Sequence, residues 1–394
     1  MIIIKNADLV NMANICHENK DILIEGTVIK EVGDIDASKY PQANIIDANG
    51  RLVTPGIVDP HCHVGITESI VGAIGDDEDE MTSPILPELR GIDGIKPRDP
   101  SFEEALKNGI TTVVTGPGSG ELIAGTFCAL KTYGKTIFDM VLKEEVAMKM
   151  ALGENPKVVF GRKNQAPSTR MANAAMIREA LFKAKEYYDK KKEYKKNIAD
   201  GKVDVKKPEF NIKWESLSRV FDGFLVKIHA HQEDDITTAM RIIEEFNLNA
   251  TIEHCTSGWK IAEKLASNNQ RCIIGPTLVT KTKIELKDKS FESGRVLKEH
   301  GVEFAIMTDN PVVPLEHALV QGSLFVKYGL SQMDTLKAMT INAAKITGID
   351  DRVGSIEIGK DADIVIWSGD PFHYMTKALT VIINGEVILR EEVV

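Results

Sequence analysis

Short apolar runs alternate with amphipathic segments through the middle of this 394-residue chain. The runs have the length of strands, and the segments between them repeat apolar residues with a helical period. We predict eight strands there, at Ile57–His63, Thr111–Thr115, Gly125–Leu130, Val146–Leu152, Gly223–His229, Asn249–His254, Arg271–Gly275 and Glu303–Thr308. Strands that alternate with helices are typical of βαβ units. The pattern therefore predicts an α/β fold, a (β/α)₈ TIM barrel over residues 55–351, with its site at the carboxyl ends of the strands.

The two ends of the chain show a different pattern, in which short strands are separated by turns. Residues 1–54 and 352–394 share it, and the second segment places the turn dipeptide Asn384-Gly385 between two apolar runs. Such a dipeptide is typical of a β-hairpin. The strands predicted at the two ends are Met1–Lys5, Asp21–Glu25, Val28–Val32, Ala43–Asp47, Ala362–Trp367, Leu379–Ile383 and Glu386–Leu389. We expect both termini to build one small composite β-sandwich domain.

Composition narrows the range of partners. The formal net charge is −10 and 43% of the residues are hydrophobic, as in an ordinary soluble domain. An acidic chain is poorly suited to nucleic acid or an anionic membrane, and no apolar stretch approaches the ~18–20 residues of a membrane span. We expect a small-molecule substrate, no nucleic-acid partner and no membrane partner. The lysine-rich residues 183–207 predict a long exposed helix that runs into a loop, with a basic patch for an acidic partner as the alternative.

The cysteines predict a reducing environment. They are odd in number, scattered, and lack the CxxC spacing of a zinc ribbon. The positions are Cys16, Cys62, Cys128, Cys255 and Cys272. The N-terminal residues 1–10 show no basic leader and no apolar segment of signal-peptide length. We therefore predict a cytoplasmic protein without a disulfide framework.

Two histidines with one residue between them end the first predicted barrel strand. His61 and His63 follow the apolar run Gly56–Val58. Because residues i and i+2 of a strand point to the same face, the two imidazoles are directed at one position. Imidazole nitrogen is a good ligand for zinc and its first-row neighbours. Both histidines are therefore candidate metal ligands, while Cys62 between them is predicted to pack in the core.

Three later strands end in residues with the same chemistry. His229 ends the fifth predicted strand, His254 ends the sixth, and Asp309 follows the eighth. Since these strand ends share one rim of a barrel, we predict that they join the two histidines of the first strand in a metal site. A carboxylate beside a metal can also take the proton of a bound water, which makes Asp309 a candidate general acid/base. Glu253 alternates away from His254 and is predicted to be structural.

A site with two metal ions needs a bridging ligand, and a carboxylate or a carbamylated lysine is suited to that role. Glu154 follows the fourth predicted strand and is our candidate, with Lys149 and Cys128 as alternatives. We expect one or two divalent ions, most simply Zn²⁺, although the same donor atoms accept other first-row ions.

Substrate contacts are predicted from the loops that follow the strands. His231 follows the fifth strand and is expected near the substrate, and Gln232 could orient a water molecule. The guanidinium of Arg170 is suited to a substrate carboxylate, whereas the preceding Ser168-Thr169 is suited to capping a helix. The long insertion over residues 67–100 carries an acidic run and is a further candidate.

The motifs together resemble those of the amidohydrolase superfamily over nearly the whole chain. VTPGIVDPHCH is similar to its PG(L/F)(I/V)D.H.H signature, NGITTV to its G(V/I)TT strand, and KIHAH, IEHC and MTDN to its later metal strands. Residues 342–345 and 354–365 resemble the closing segment of the family, NPA…G.I..GK.ADLV. Within the superfamily, the chain is most similar to the imidazolonepropionase-related members.

The resemblance implies a metal-bearing barrel with a composite β-sandwich, hydrolysis at carbon–nitrogen bonds, and a homo-oligomer. By position, His61, His63, His229 and Asp309 match metal ligands of the family. His254 matches either a ligand of a second metal or a histidine that polarises the substrate.

The sequence departs from the family pattern at two places. Gln232 stands where imidazolonepropionase-type sequences tend to carry an acidic residue, and a neutral amide cannot act as a base. The lysine that is usual on the fourth strand of two-metal phosphotriesterase-like members is not evident. We therefore predict hydrolysis of an amide or cyclic amide by a metal-bound hydroxide, with Asp309 as general acid/base. The alternatives are deamination of an aminated heterocycle and, in a different class, a barrel used for binding or assembly.

Overall fold

The computed structural model describes residues 1–14, 17–69 and 72–391. Cys16, two residues of the insertion after the first barrel strand and the last three residues therefore lie outside the described residues. The strands are β1 Ile2–Val10, β2 His17–Glu25, β3 Val28–Gly33, β4 Asn44–Asp47, β5 Leu52–Pro55, β6 Ile57–Cys62, β7 Ile110–Thr115, β8 Ile123–Lys131, β9 Val141–Ala151, β10 Leu225–Ala230, β11 Ala250–His254, β12 Arg271–Ile274, β13 Phe304–Ile306, β14 Ile364–Trp367, β15 Ala378–Ile383 and β16 Glu386–Arg390. The helices are α1 Pro100–Lys107, α2 Ile137–Met140, α3 Glu154–Gly161, α4 Arg170–Ala199, α5 Ile212–Ser218, α6 Glu233–Phe246, α7 Ala262–Ser267, α8 Ser293–Glu299, α9 Ala318–Lys327, α10 Gln332–Ala338 and α11 Ile341–Thr347.

Both ends of the chain contribute to one sheet, in the order β16-β15-β14-β5-β1-β2-β3, with β4 paired to β1. Strand β5 is parallel to β1 and antiparallel to β14, so it joins the strands of the two termini. The hairpin predicted at Asn384-Gly385 connects β15 to β16, and both turn residues have positive φ angles of 49° and 73°. Positive φ at both positions is what a two-residue hairpin turn requires.

A second sheet contains all eight predicted barrel strands, in the order β6 to β13. Its two outer strands are brought together by hydrogen bonds at their carboxyl ends. The Asp309 amide donates to the His61 carbonyl at 3.1 Å, and the His63 amide donates to the Asn310 carbonyl at 2.8 Å. The sheet is therefore nearly closed, and the closing bonds lie among the predicted metal ligands.

One strand runs against the predicted direction. Strand β8 is antiparallel to both β7 and β9, whereas the other neighbouring pairs of this sheet are parallel. The prediction of eight parallel βα units is therefore wrong at this unit. Residues 116–122, which connect β7 to β8, are too few for the helical crossover that parallel strands need. The chain turns back instead, and this turn lies at the rim where the parallel strands end.

The sheet separates two apolar cores. Inside it, Val58, Phe127 and Ala147 pack together, while Met148 and Met150 of β9 pack on the outer face with the helices. The alternation within β9 places Lys149 on the inner face. Cys62 belongs to the outer core, as predicted.

The lysine-rich segment forms the long helix that its sequence predicts. Helix α4 spans thirty residues, and its distal half is largely exposed. Several of its lysines face carboxylates one turn away, such as Lys183 with Glu179 and Lys190 with Glu186. These pairs reduce the net positive charge that the helix presents. None of the helices in the described ranges is both long and apolar enough to cross a membrane.

Candidate metal centre and active site

Six side chains form two groups at the rim of the nearly closed sheet. The first group is His61, His63 and Asp309, and the second is His229, His231 and His254. Within each group, one potential ligand atom per residue lies within 4.8 Å of the others. All six side chains are buried.

The first group is held by strand β6 and the segment after β13. The Oδ1 atom of Asp309 lies 3.2 Å from His63 Nε2 and 3.7 Å from His61 Nε2. Burial lowers the pKa of His63, but the charges of Glu78 and Asp309 outweigh this effect and raise it to about 9. The surroundings of His63 therefore favour positive charge between the imidazoles and the carboxylate, which a divalent cation could supply.

Hydrogen bonds fix three of the imidazoles in one tautomer. His63 Nδ1 donates to the carbonyl of Gly116 at 2.7 Å, and His254 Nδ1 donates to the carbonyl of Gly275 at 3.1 Å. His61 Nδ1 lies 2.5 Å from a carboxylate oxygen of Glu253. Each bond directs the Nε2 atom toward the site, which is how outer groups commonly orient metal-binding histidines.

The second group has the chemistry of a metal site. The His229 ring lies 4.2 Å from the His254 ring and 4.7 Å from the His231 ring, between centroids. Neither ring nitrogen of His229 has a hydrogen-bond partner, although both are buried. Burial, followed by the neighbouring histidines, lowers the pKa of His229 well below its usual value, so the ring is neutral. A neutral imidazole with an unpaired buried nitrogen is costly alone, and it fits a metal ion.

Lys149, an alternative bridge in the sequence analysis, lies against the first group. Its Nζ atom is 3.1 Å from His61 Nε2, on the inner face of the fourth barrel strand. Among the three bridge candidates of the sequence analysis, Lys149, which was given there as an alternative, is therefore the one whose side chain lies against a predicted ligand. Burial lowers the pKa of Lys149 to about 8, against the opposing charges of Asp309 and Glu253. The amine is thus partly neutral near pH 7–8, as a nucleophile or ligand must be.

Backbone geometry explains why strand alternation misjudged Glu253. His254 and Asp309 have positive φ angles of 67° and 57°. This reversal at the end of β11 lets consecutive side chains, Glu253 and His254, both reach the site. Glu253 also lies 2.8 Å from the Nζ atom of Lys227, so a buried ion pair lies beneath His61. Glu253 thus contacts a histidine of the site and orients it, although alternation predicted that it would face away.

Four other predicted site residues lie outside the two groups. Glu154 begins α3 and belongs to neither group. Its backbone amide donates to the carboxylate of Glu285 at 2.7 Å. Cys128 packs in the outer core, on the opposite face of the sheet from Lys149. Gln232 donates its side-chain amide to the carbonyl of Glu285 at 2.6 Å.

Arg170 begins helix α4, as predicted, and Thr169 caps that helix. The Nε atom of Arg170 lies 2.9 Å from the Asp235 carboxylate, and another nitrogen of the same guanidinium lies 3.6 Å from the Glu285 carboxylate. Carboxylates of the protein itself therefore engage the group that we predicted for a substrate carboxylate.

Sequence reasoning did not name Lys227, gave Lys149 only as an alternative bridge, and included Glu78 only as part of the acidic run in the insertion. Lys149 and Lys227 are charged residues within apolar strands, in VAMKMA and LVKIHA, and that signal was available. Glu78, whose Oε1 lies 3.6 Å from His63 Nε2, is in a loop and carries no comparable signal.

Comparison with known proteins identifies a family whose sequence model matches this chain. The model of the amidohydrolase family matches residues 52–388. The chain is 28% identical to the amidohydrolase tasK of Hapsidospora irregularis over 95% of its own length, but it spans 40% of the length of that relative. It is 27% identical to an imidazolonepropionase of Bacillus cereus strain B4264, over 94% of this chain and 89% of the relative.

Solved structures show the same fold. A crystal structure of an amidohydrolase from Thermotoga maritima MSB8 superposes with a TM-score of 0.93 at 39% identity, covering 99% of this chain and 100% of the other. A β-aspartyl dipeptidase from Fervidobacterium islandicum AW-1 superposes with a TM-score of 0.61 at 17% identity, over 100% and 98% of the chains. At that lower identity the likeness concerns the fold alone.

Proposed function

The chain belongs to the amidohydrolase family, and from this premise we propose that it is a metal-dependent hydrolase of an amide or cyclic amide bond. The observation that carries the proposal is the unpaired, buried, neutral His229 between two further histidines. The fold proposed with it is a TIM-type barrel with one reversed strand and a composite β-sandwich of residues 1–54 and 352–394.

The residues present fit divalent ions, with Zn²⁺ as the simplest candidate. His61, His63 and Asp309 would hold one ion, and His229, His231 and His254 would hold another. Lys149 replaces Glu154 as our candidate bridge because its Nζ lies beside His61, whereas Glu154 belongs to neither group. Such ions, when bound, lower the pKa of water and polarise a carbonyl group.

Asp309 is our candidate general base and acid. Its carboxylate lies against both histidines of β6 and is 8% exposed, so it can exchange a proton with a small molecule at the rim. It would accept the proton of the attacking water and donate it to the leaving nitrogen. His254, whose Nε2 is left free by the bond to Gly275, is placed to polarise the substrate if it does not bind a metal.

The substrate class is narrowed by Gln232. Its side-chain amide donates to a backbone carbonyl, and a neutral amide cannot act as a base, which argues against the imidazolonepropionase reaction itself. We favour N-acyl amino acids, dipeptides or cyclic amides, whose hydrolysis yields a new carboxylate.

A product assay tests the proposal. Purified protein loaded with Zn²⁺ is incubated with cyclic amides, N-acyl amino acids, dipeptides and aminated heterocycles, and both new carboxylate and ammonia are measured. We expect carboxylate release that Asp309→Asn reduces by about 10²–10⁴-fold, while Glu104→Gln on the exposed face of α1 has no effect. Ammonia from a heterocycle would favour the deaminase instead. Wild-type rates in Asp309→Asn would contradict the assigned role.

A further inference from the structure

The acidic run in the insertion after β6 borders a cavity beside the candidate active site. The cavity has a volume of about 430 Å³, and its walls carry the carboxylates of residues 76–80, Glu88, Asp93 and Glu121. Arg90 also lines it, but its guanidinium is paired with Glu144 at 2.7 Å. The space therefore has a strongly negative lining.

Cations of the protein balance part of this charge. Lys96 lies 2.9 Å from Asp77, and Lys213 lies 3.4 Å from Glu88. Within the described part of the chain, no lysine or arginine lies within 4.0 Å of Asp79 or Glu121. Asp76, Glu80 and Asp93 likewise have no such partner among the described residues, so most of the negative charge of the wall is uncompensated.

Glu121 is the residue that points to a ligand. It is 1% exposed, and one of its oxygens accepts the amide of Met81. The other oxygen, Oε2, is buried without a hydrogen-bond donor. Burial, followed by the charge of Asp79, raises the pKa of Glu121 to about 8. Without a ligand, burial and Asp79 favour the protonated form of this carboxyl group, and a cationic donor would replace that proton as the partner of Oε2.

The cavity and the site meet at Glu78. The Glu78 side chain lines the cavity, and its Oε1 atom lies 3.6 Å from His63 Nε2. The small residues of the β7–β8 turn permit this approach, because a Cβ atom at Gly118 would lie 2.5 Å from that oxygen. The Gly120 amide donates to Asp79 at 2.8 Å and holds the second carboxylate in place.

The spacing of the carboxylates favours an organic cation over a metal ion. Among the described residues, the groups with three ligand atoms within 4.8 Å of one another are the two histidine-containing groups of the active site. The cavity acids are more widely spaced, and the volume exceeds what a bare ion fills. An ammonium or guanidinium at the end of an alkyl chain matches both the charge and the space.

We propose that this cavity binds a cationic group of the substrate, a primary ammonium or a guanidinium, and so selects positively charged amides. This inference rests on the proposed hydrolytic function and specifies its substrate class. Asp79 and Glu121 are the specificity residues, and Glu78 connects their cavity to the reacting centre.

Matched substrates test the inference. Glycyl-lysine and glycyl-norleucine share their scissile amide and differ only in the ammonium group at the end of the lysine side chain. Nα-acetyl-lysine and Nα-acetyl-norleucine form a second pair with the same difference. We expect kcat/KM to favour the lysine member by about 10- to 100-fold, the value of a charge-assisted hydrogen bond. Glu121→Gln and Asp79→Asn should each bring this ratio close to one, whereas Glu104→Gln should leave it unchanged. A ratio near one in the wild type, or a preference that survives in both variants, overturns the inference.

A binding experiment separates this inference from the hydrolytic proposal. The affinity of n-pentylamine, an ammonium at pH 7, is measured by calorimetry against that of 1-pentanol, with a thermal melt to verify the fold of each variant. Binding of the amine to the wild type that both variants weaken at least tenfold supports the cavity even if no amide is hydrolysed. Equal affinity for amine and alcohol contradicts it, as does displacement of the amine by equimolar Ca²⁺ or Mg²⁺.

Discussion

At the scale of the residue, the site depends on charged groups that lie behind its histidines. Glu253 accepts from His61 and is itself paired with Lys227, which also donates to the carbonyl of Pro60 at 3.0 Å. Burial lowers the pKa of Lys227, although the charge of Glu253 opposes the shift. These buried charges are tolerated because each has a partner, and together they hold one imidazole in a single orientation.

Lys149 gives a prediction about covalent chemistry. A neutral amine adds to carbon dioxide, forming an N–C bond and releasing one proton, and the pKa of about 8 leaves a useful neutral fraction. We expect a carbamate ¹³C resonance when the metal-loaded enzyme is equilibrated with ¹³C-bicarbonate. Lys149→Met should remove the signal and most activity, whereas Lys227→Met, which removes the partner of Glu253 but leaves the amine of Lys149 in place, should keep the signal. A spectrum identical in wild type and Lys149→Met contradicts a carbamylated bridge.

Glu121 gives a prediction about pH. Its pKa is about 8 in the folded protein, above its ordinary value of 4.5, so the folded state keeps a proton that the unfolded chain has lost. Stability from this group is therefore complete below pH 4.5 and declines as the pH rises toward 8. We expect the Tm of the wild type, relative to Glu121→Gln, to fall by about 2–5 °C between pH 5 and pH 8. For Glu104→Gln we expect the Tm difference from the wild type to be the same at both pH values. The same result for Glu121→Gln would contradict the raised pKa of Glu121.

At the scale of the element, the sequence predicted which segments are strands better than how they are joined. Period and composition identified all eight barrel strands, because buried strands are short apolar runs. The direction of β8 depends on the length of the turn over residues 116–122, and a turn rich in small residues did not reveal it. The reach of Glu253 depends on the positive φ at His254, which side-chain alternation cannot express.

The packing of the two sheets against each other can be tested at a glycine. Gly109 has a φ of 75°, and a Cβ atom there would lie 2.4 Å from the ring of Trp367 in β14. Gly223 has a φ of 86° with open space around it and is a matched control. We expect Gly223→Ala to cost about 1–2 kcal/mol from the backbone alone, and Gly109→Ala to cost about 1–3 kcal/mol more from overpacking. Equal losses in urea denaturation would show that the Trp367 contact is loose.

At the scale of the whole molecule, bound ions are expected to contribute to stability. Two groups of buried ligand atoms lie at the rim, and neither ring nitrogen of His229 has a hydrogen-bond partner. A ligand that binds only the folded state adds about 2.7 kcal/mol when present at 100 times its Kd. We therefore expect dialysis against a chelator to abolish activity and lower the Tm by several degrees, with Zn²⁺ restoring both and Mg²⁺ restoring neither. A Tm that is insensitive to chelation in the wild type would argue against metal binding by the histidines.

The reversed strand also bears on how this enzyme can change over evolutionary time. An ordinary barrel can lengthen each loop at its rim almost independently, which gives each a chance to acquire new specificity. Here the turn between β7 and β8 is tied to a hairpin and packed against Glu78 and Asp79, so an insertion there would disrupt the neighbouring strands. We therefore expect a mutagenesis library directed at residues 72–99, in the insertion after β6, to alter substrate preference more readily than insertions in this turn.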